Sequence, residues 1–124
     1  MTRAQPAPGQ HPLQKAGNAL FAQYIHQLGL SPDTVGYWYL SASLDIARRD
    51  LHAMTCLTKY VYAAIAELYG VSPGAVESGL RRAVSACWSD NRALLEDIMG
   101  SPLKKKPSVG HFITRLSLWL ENKP

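Results

Sequence analysis

Residues 65–84 read IAELYGVSPGAVESGLRRAV, which is the pattern of two helices joined by a tight turn. Apolar residues recur at helical spacing in the first half and give the first helix an apolar face. Gly70 stands where that helix should end, because a left-handed C-terminal residue costs glycine almost nothing. Ser72 and Pro73 then restart the helix as its N-cap and its first helical residue.

The second helix is predicted to bury one stripe of residues that recur at steps of three and four. The stripe consists of Val76, Leu80, Ala83, Val84, Cys87 and Trp88. A helix, a glycine turn and a second helix form the helix-turn-helix motif, whose second helix enters the major groove of DNA. An ordinary helical hairpin in an all-helical domain has the same outline and stays the alternative. DNA binding is favoured because small Ala66, the glycine at position 70 and the Ser-Pro cap agree with one another.

Length and composition indicate one globular domain with a single core. The formal net charge of +4 and the pI of about 9.2 permit nucleic-acid binding without establishing it. No apolar run approaches the ~20 residues of a membrane span, and no signal segment is visible, so we expect a cytoplasmic protein without membrane contact. Cys56 and Cys87 lie in apolar runs at no metal-ligand spacing, and both are expected to be reduced core residues.

Patterns typical of catalysis are missing from the sequence. It contains no interpretable carboxylate pair, glycine-rich phosphate loop, or Ser/His/Asp or Cys/His arrangement, and its four histidines are scattered. We therefore expect no enzyme activity, no metal site and no cofactor.

The whole chain is predicted to be all-α, with six helices. Residues 1–12 hold three prolines and no apolar pattern, and we interpret them as a flexible lead or linker remnant before a helical domain at 13–124. The predicted helices run from about Leu13 to Leu28, from Ser31-Pro32 to Arg49, from Thr55 to Tyr69 and from Pro73 to Ser89, followed by a short fifth helix ending at Gly100 and a sixth that contains Phe112 to Leu120.

The second helix combines a predicted buried edge with a cluster of aromatic residues. Tyr37, Leu40, Leu44 and Ala47 form the expected edge, and Gly36 is expected to allow a neighbouring helix to approach closely. Residues 37–39 are Tyr-Trp-Tyr, and three aromatic side chains within one turn are not all expected to face inward.

The outward residues of the fourth helix and its cap are the candidates for base contacts, because only base edges carry sequence information. They are Ser72, Gly74, Glu77, Ser78 and Arg81. Arg81 suits a guanine or a phosphate, and Glu77 suits a cytosine amino group. Pairing of these two side chains one turn apart is the alternative, and it is compatible with base contact if the pair opens on binding.

Cations near the motif are the candidates for phosphate contacts. They are Lys59, Arg82, Lys104, Lys105 and Lys106. The last three form a loop bracketed by Pro102 and Pro107. The two prolines favour a fixed loop conformation over a merely solvated loop. Each phosphate neutralised would steepen the salt dependence of binding by about one log unit per log unit of salt.

Several segments together match a known family over about residues 25–120. They are IHQLG (25–29), GYWYL (36–40), LTKYVY (57–62), VESGLRRAV (76–84), Trp88-Ser89, Lys106-Pro107 and Phe112-Ile113. With them the chain resembles the C-terminal DNA-binding effector domain of the master response regulator of bacterial endospore formation. The resemblance implies six helices with the turn motif in helices three and four. It also implies binding to a short operator repeat in double-stranded DNA, often as a tandem homodimer, and contact with RNA polymerase holoenzyme.

Two departures from that family bear on function. Gly74 and Ala75 replace a Ser-Arg pair, and Ser78 replaces an arginine that reads a guanine, whereas Glu77 and Arg81 match family positions that face DNA. Losing one bidentate arginine removes ~1–3 kcal/mol of discrimination, so the family's operator sequence does not carry over. Family members also carry a phosphoacceptor receiver domain, so we expect either an excised domain or a natural stand-alone version.

Two functions follow as hypotheses. The first is a transcription regulator whose helix of about Pro73 to Ser89 reads the major groove. The second is an interaction module that has lost base reading and modulates a full-length relative or RNA polymerase. The small residues at 74, 75 and 78 motivate the second hypothesis.

Overall fold

Residues 18–123 of the chain, which a computed structural model describes, contain six α-helices and no strand. The helices are α1 (Asn18–Gln27), α2 (Val35–Arg49), α3 (Ala63–Tyr69), α4 (Pro73–Asp90), α5 (Arg92–Met99) and α6 (Val109–Glu121). This confirms the prediction of an all-α fold with six helices. The proposed lead at 1–12 and the start of the first predicted helix lie outside the described residues.

Helix α2 lies at the centre of the core, and ten of its 15 residues are buried. The predicted edge of Tyr37, Leu40, Leu44 and Ala47 is confirmed. Around α2 a single cluster of apolar side chains draws residues from all six helices. Its burial is the main favourable contribution to folding, at roughly 25 cal/mol for each Å² of apolar surface removed from water.

The expectation that the three aromatic residues of α2 could not all face inward is wrong. Tyr37, Trp38 and Tyr39 are all buried, because neighbours cover α2 on several sides. The ring of Tyr37 meets Phe21 of α1 edge-on at 5.3 Å between centroids, and that of Tyr39 meets Tyr69 of α3 at 5.4 Å. The indole nitrogen of Trp38 donates a hydrogen bond to the Pro32 carbonyl at 2.7 Å, so its polar atom is satisfied although buried.

Helices α2 and α4 cross so closely that glycine is needed on both. A Cβ atom at Gly36 would lie 3.1 Å from the Ala83 Cβ and 3.1 Å from the Gly79 carbonyl oxygen. A Cβ at Gly79 would lie only 2.7 Å from a ring carbon of Tyr39. The predicted role of Gly36 in close approach is confirmed, and packing explains a glycine in the middle of α4.

The turn between α3 and α4 has the predicted chemistry. Gly70 is left-handed (φ 68°, ψ 37°), and the N–H groups of Gly70 and Val71 both donate to the Ala66 carbonyl. Ser72 caps α4 with its hydroxyl oxygen, which accepts from the Ala75 N–H at 3.1 Å. The helix–turn–helix pair predicted from residues 65–84 is therefore present.

The approach to α3 differs from the prediction of one α-helix beginning at Thr55. A 3₁₀ helix at Leu51–Thr55 is followed by a π-helical segment at Thr58–Tyr62 that runs directly into α3. Cys56 lies at the junction of the two and is exposed, so its predicted core position is wrong. Cys87 is buried, as predicted, and both thiols are free.

Candidate nucleic-acid interface

Helix α4 has one face in the core and one face outside. Val76, Gly79, Leu80, Ala83, Val84 and Cys87 are buried. The predicted base-contacting residues lie on the other side, where Ser72, Gly74, Ser78 and Arg81 are exposed and Glu77 is half-buried. We call these five residues the outer face. The opposition of the two faces follows from the 3.6-residue period of the helix.

Glu77 and Arg81 form an ion pair on the outer face. The Arg81 guanidinium donates to a Glu77 carboxylate oxygen at 2.7 Å, across one helical turn. The Arg81 side chain is nevertheless 70% exposed and that of Glu77 39% exposed. An exposed pair of this kind contributes little to stability, about 0.3–0.5 kcal/mol, so a ligand can open it at low cost.

A groove of about 470 Å³ runs beside this pair. Its walls come from the two ends of the π-helical segment, from α4, and from the loop that leads into α6 together with the first turn of α6. The lining residues are Leu57, Tyr62, Glu77, Arg81, Val84, Ser85, Lys106, Pro107, Ser108, Val109 and Gly110. The groove thus brings Arg81 and Lys106 together on one concave surface.

Tyr62 lines the same groove as the ion pair and is only 5% exposed. Burial raises the pKa of Tyr62 above its ordinary value, and the negative charge of Glu77 adds to the rise while Arg81 opposes it. The hydroxyl of Tyr62 therefore stays protonated at neutral pH and is available as a hydrogen-bond donor.

The loop that contains Lys104, Lys105 and Lys106 is hydrogen-bonded to two helices, α4 and α5. The Leu103 N–H donates to a Glu96 carboxylate oxygen at 2.7 Å, and the Lys106 ammonium donates to the Ser85 hydroxyl at 3.2 Å. Lys104 and Lys105 are exposed and do not line the groove. The held loop shape inferred from the bracketing prolines is thus supported by hydrogen bonds.

The other two predicted phosphate contacts lie away from the groove lining. Arg82 is exposed on α4, next to Arg81. Lys59 is exposed on the π-helical segment, with its ammonium 5.3 Å from the centre of the Tyr60 ring. The structure therefore gathers three of the ten predicted residues, Glu77, Arg81 and Lys106, around one groove.

Sequence reasoning missed three polar residues of the groove, Tyr62, Ser85 and Ser108. Ser85 lies four residues after Arg81, so the helical period that selected the outer face could have included it. Tyr62 had no such signal, because it shares the groove with Leu57, five residues earlier. A regular α-helix would place such residues about 140° apart, whereas π-helical winding returns them to one side.

The groove can bind a negatively charged, hydrogen-bonding ligand. Two cations, Arg81 and Lys106, outweigh the one carboxylate, Glu77, and the serine hydroxyls and the tyrosine can donate further hydrogen bonds. Among residues 18–123 no group of three or more His, Cys, Asp and Glu side chains could hold a metal ion. None of the helices in that range has both the length and the apolar character needed to cross a membrane.

Comparison with protein families gives a match over residues 21–120, which is most of the chain. The matching family is described as the sporulation initiation factor Spo0A C terminal, and it is a DNA-binding regulatory family rather than a class of enzymes. The match includes every helix from the second turn of α1 to the last residues of α6. The chain thus belongs to the family of the C-terminal, DNA-binding effector domain of sporulation initiation factor Spo0A.

Proposed function

We propose that residues 13–124 form a sequence-selective DNA-binding domain, preceded by a lead at 1–12, and that α4 reads the major groove of an operator. Glu77, Ser78 and Arg81 contact base edges, while Ser72 and Gly74 lie where the helix enters the groove. The observation that carries the proposal is the exposure of Arg81 on the outer face, beside a cationic groove wall formed by Lys106. Exposed hydrogen-bond donors next to a cationic rim suit a DNA duplex, because its base edges carry the sequence information and its phosphate backbone carries the negative charge.

The phosphate contacts are assigned to Lys59, Arg82, Lys104, Lys105 and Lys106. All five side chains are exposed, and the anchored loop holds the last three at fixed positions relative to α4. Such contacts set the register and salt dependence of binding and carry no sequence information. Tandem homodimers on repeated operators and contact with RNA polymerase holoenzyme complete the proposal, in keeping with the family resemblance.

The direct test is selection from a random pool of duplexes at two salt concentrations. Sequence-selective binding returns one enriched motif at both concentrations, with affinity falling steeply as salt rises. Recovery of an unenriched pool, or of no duplex, would contradict the proposal.

Two single substitutions then separate base contact from phosphate contact. Arg81→Ala should remove ~1–3 kcal/mol of preference for the enriched duplex over a scrambled one. Lys105→Ala should weaken both duplexes equally and lower the salt slope by about one. Equal weakening of both duplexes by Arg81→Ala would reassign Arg81 to the backbone.

A second candidate function is favoured by the small residues of the outer face. Gly74, Ala75 and Ser78 are exposed and supply no long donor to a base. An interaction module with this surface would modulate the DNA complex of a full-length relative, or RNA polymerase, without binding DNA alone. Adding the protein to a relative's operator complex distinguishes the two, because only the module disrupts or caps that complex while failing to bind the bare operator.

A further inference from the structure

We infer that Tyr62 is a positioning residue for DNA reading: its hydroxyl takes over the Glu77 carboxylate when Arg81 turns from Glu77 to the duplex. The inference rests on the proposed function, since it needs Arg81 to contact DNA. It adds a specific exchange of hydrogen-bond partners beneath the outer face.

The first step of the argument is the cost of releasing Arg81. In the free protein the Arg81 guanidinium and the Glu77 carboxylate are 2.7 Å apart. When Arg81 contacts a base or phosphate, the carboxylate loses this donor while the negatively charged DNA approaches. A carboxylate left without a donor in a partly desolvated site is costly, so a replacement donor favours the bound state.

The second step is the location of the replacement donor. Tyr62, Glu77 and Arg81 line the same groove, and of the three only Tyr62 is buried. The π-helical segment that carries Tyr62 packs directly against α4, the helix that carries Glu77 and Arg81. A protonated tyrosine hydroxyl has one hydrogen to donate, and a carboxylate accepts on two oxygens, so one Glu77 oxygen stays free for a base.

The third step is how the fold holds Tyr62 in place. The π-helical segment ends where the Ala63 N–H donates to the Thr58 carbonyl, five residues earlier. This winding puts Tyr62 on the groove side together with Leu57. The ring is buried in the core cluster, so only the hydroxyl end is left to change partners.

The exchange makes a testable prediction about energetic coupling. Tyr62→Phe keeps the ring and removes the hydroxyl, and it should weaken binding to the enriched duplex roughly tenfold, the size expected for a hydrogen bond to a charged group. In a Glu77→Ala background the same change should have no effect, because the acceptor is gone. In an Arg81→Ala background the effect should be smaller than in the parent protein, because Glu77 then accepts from the tyrosine before as well as after binding and part of the loss is common to both states.

Binding of these six proteins to the enriched and scrambled duplexes, each with its unfolding midpoint, gives the double-mutant cycles. Tyr60→Phe is the matched control, an exposed tyrosine on the same π-helical segment that does not line the groove. A role of Tyr62 in packing alone would weaken binding equally in all three backgrounds, and that result overturns the exchange.

The proposed function and the exchange fail differently. If Arg81→Ala changes neither the affinity for the two duplexes nor the preference between them, Arg81 does not contact DNA, and the exchange fails together with the proposed base contact. If Arg81→Ala removes the preference but the effect of Tyr62→Phe persists in the Glu77→Ala background, only the exchange fails.

Discussion

Two glycines of α4 are present for different physical reasons. Gly79 is buried, and a side chain there would collide with the ring of Tyr39. Gly74 is exposed in the first turn, and the nearest atom to a Cβ built there is the Ser72 hydroxyl oxygen at 3.9 Å. The same substitution at the two positions therefore has opposite expected effects.

Gly79→Ala should lower the free energy of unfolding by about 1–3 kcal/mol, because the added methyl group forces α2 and α4 apart. Gly74→Ala should raise it by up to about 1 kcal/mol, because the unfolded chain loses freedom and no contact is broken. Urea denaturation of the two variants and the parent measures both changes. A stabilised Gly79→Ala protein would mean that the helices cross less closely than the structure shows.

The thiol of Cys87 links stability to alkaline pH. Burial raises its pKa from 9.0 to about 12 in the folded protein. Below pH 9 the thiol is protonated in both the folded and the unfolded protein, so it adds no pH dependence to the free energy of unfolding. Above pH 9 only the unfolded chain releases this proton. The free energy of unfolding should therefore fall by up to ~1.4 kcal/mol per pH unit.

Urea denaturation below pH 9.0, and again between pH 9.0 and 10.0, measures this slope. The series stops at pH 10.0, because tyrosines begin to contribute above that value. The control is Cys87→Ala, which removes the thiol and should show a much smaller fall over the same interval. An equally steep fall in Cys87→Ala would assign the pH dependence to another group.

At the scale of elements, α4 depends on its cap. The Ser72 hydroxyl satisfies the Ala75 N–H, one of the four amide donors that the first turn of a helix leaves without a partner. Ser78 is also exposed, but it lies inside α4, where alanine is the better helix former. The two serines thus allow one chemical change to be compared at the end and in the middle of the same helix.

Ser72→Ala should lower the free energy of unfolding by ~1 kcal/mol, within the range of 0.5–2 kcal/mol measured for lost caps. Ser78→Ala should leave it unchanged or slightly higher. Thermal and urea unfolding followed by circular dichroism test both variants. Equal effects at the two positions would show that the Ser72 bond contributes nothing in solution.

Caps, glycine stops and helical periods made most of these elements predictable. Gly70 and Gly100 end helices in left-handed conformation, and Ser72 begins one, as their residue types indicate. The π-helical segment was not predictable, because its winding depends on how Leu57 and Tyr62 pack against other helices. The same tertiary dependence hid Tyr62 from the candidate site and led to the wrong placement of Cys56.

Aromatic burial in α2 shows a further limit of reading one sequence. A single helical period predicts one inward edge, and this holds for a helix at the surface of a domain. Residues 37–39 are all buried because α2 has neighbours on several sides, which depends on the arrangement of the whole domain. The outer face of α4 was predictable because that helix has only one buried side.

At the scale of the whole molecule, the tryptophans report on one shared core. Trp38 is in α2, Trp88 in α4 and Trp119 in α6, and all three belong to or pack against the same apolar cluster. A domain with one such cluster is expected to unfold in a single cooperative transition. Separate stability of any one helix would require a core of its own, and the described residues form a single cluster.

Variants that each keep one tryptophan, with the other two changed to phenylalanine, should show this cooperativity. Within each variant, urea midpoints from fluorescence and from far-ultraviolet circular dichroism should coincide. The comparison is internal to each protein, so the different stabilities of the variants do not affect it. An earlier fluorescence transition for Trp119 alone would show that α6 detaches before the rest unfolds.

The close crossing at Gly36 and Gly79 also determines how a mechanical load on α4 is distributed. Gly36 meets the Ala83 Cβ and the Gly79 carbonyl oxygen, and Gly79 meets the ring of Tyr39, so neither helix has free space in which to move without the other. Helix α2 also packs extensively against α6. A torque applied to α4 would therefore be transmitted through α2 to the C-terminal helix.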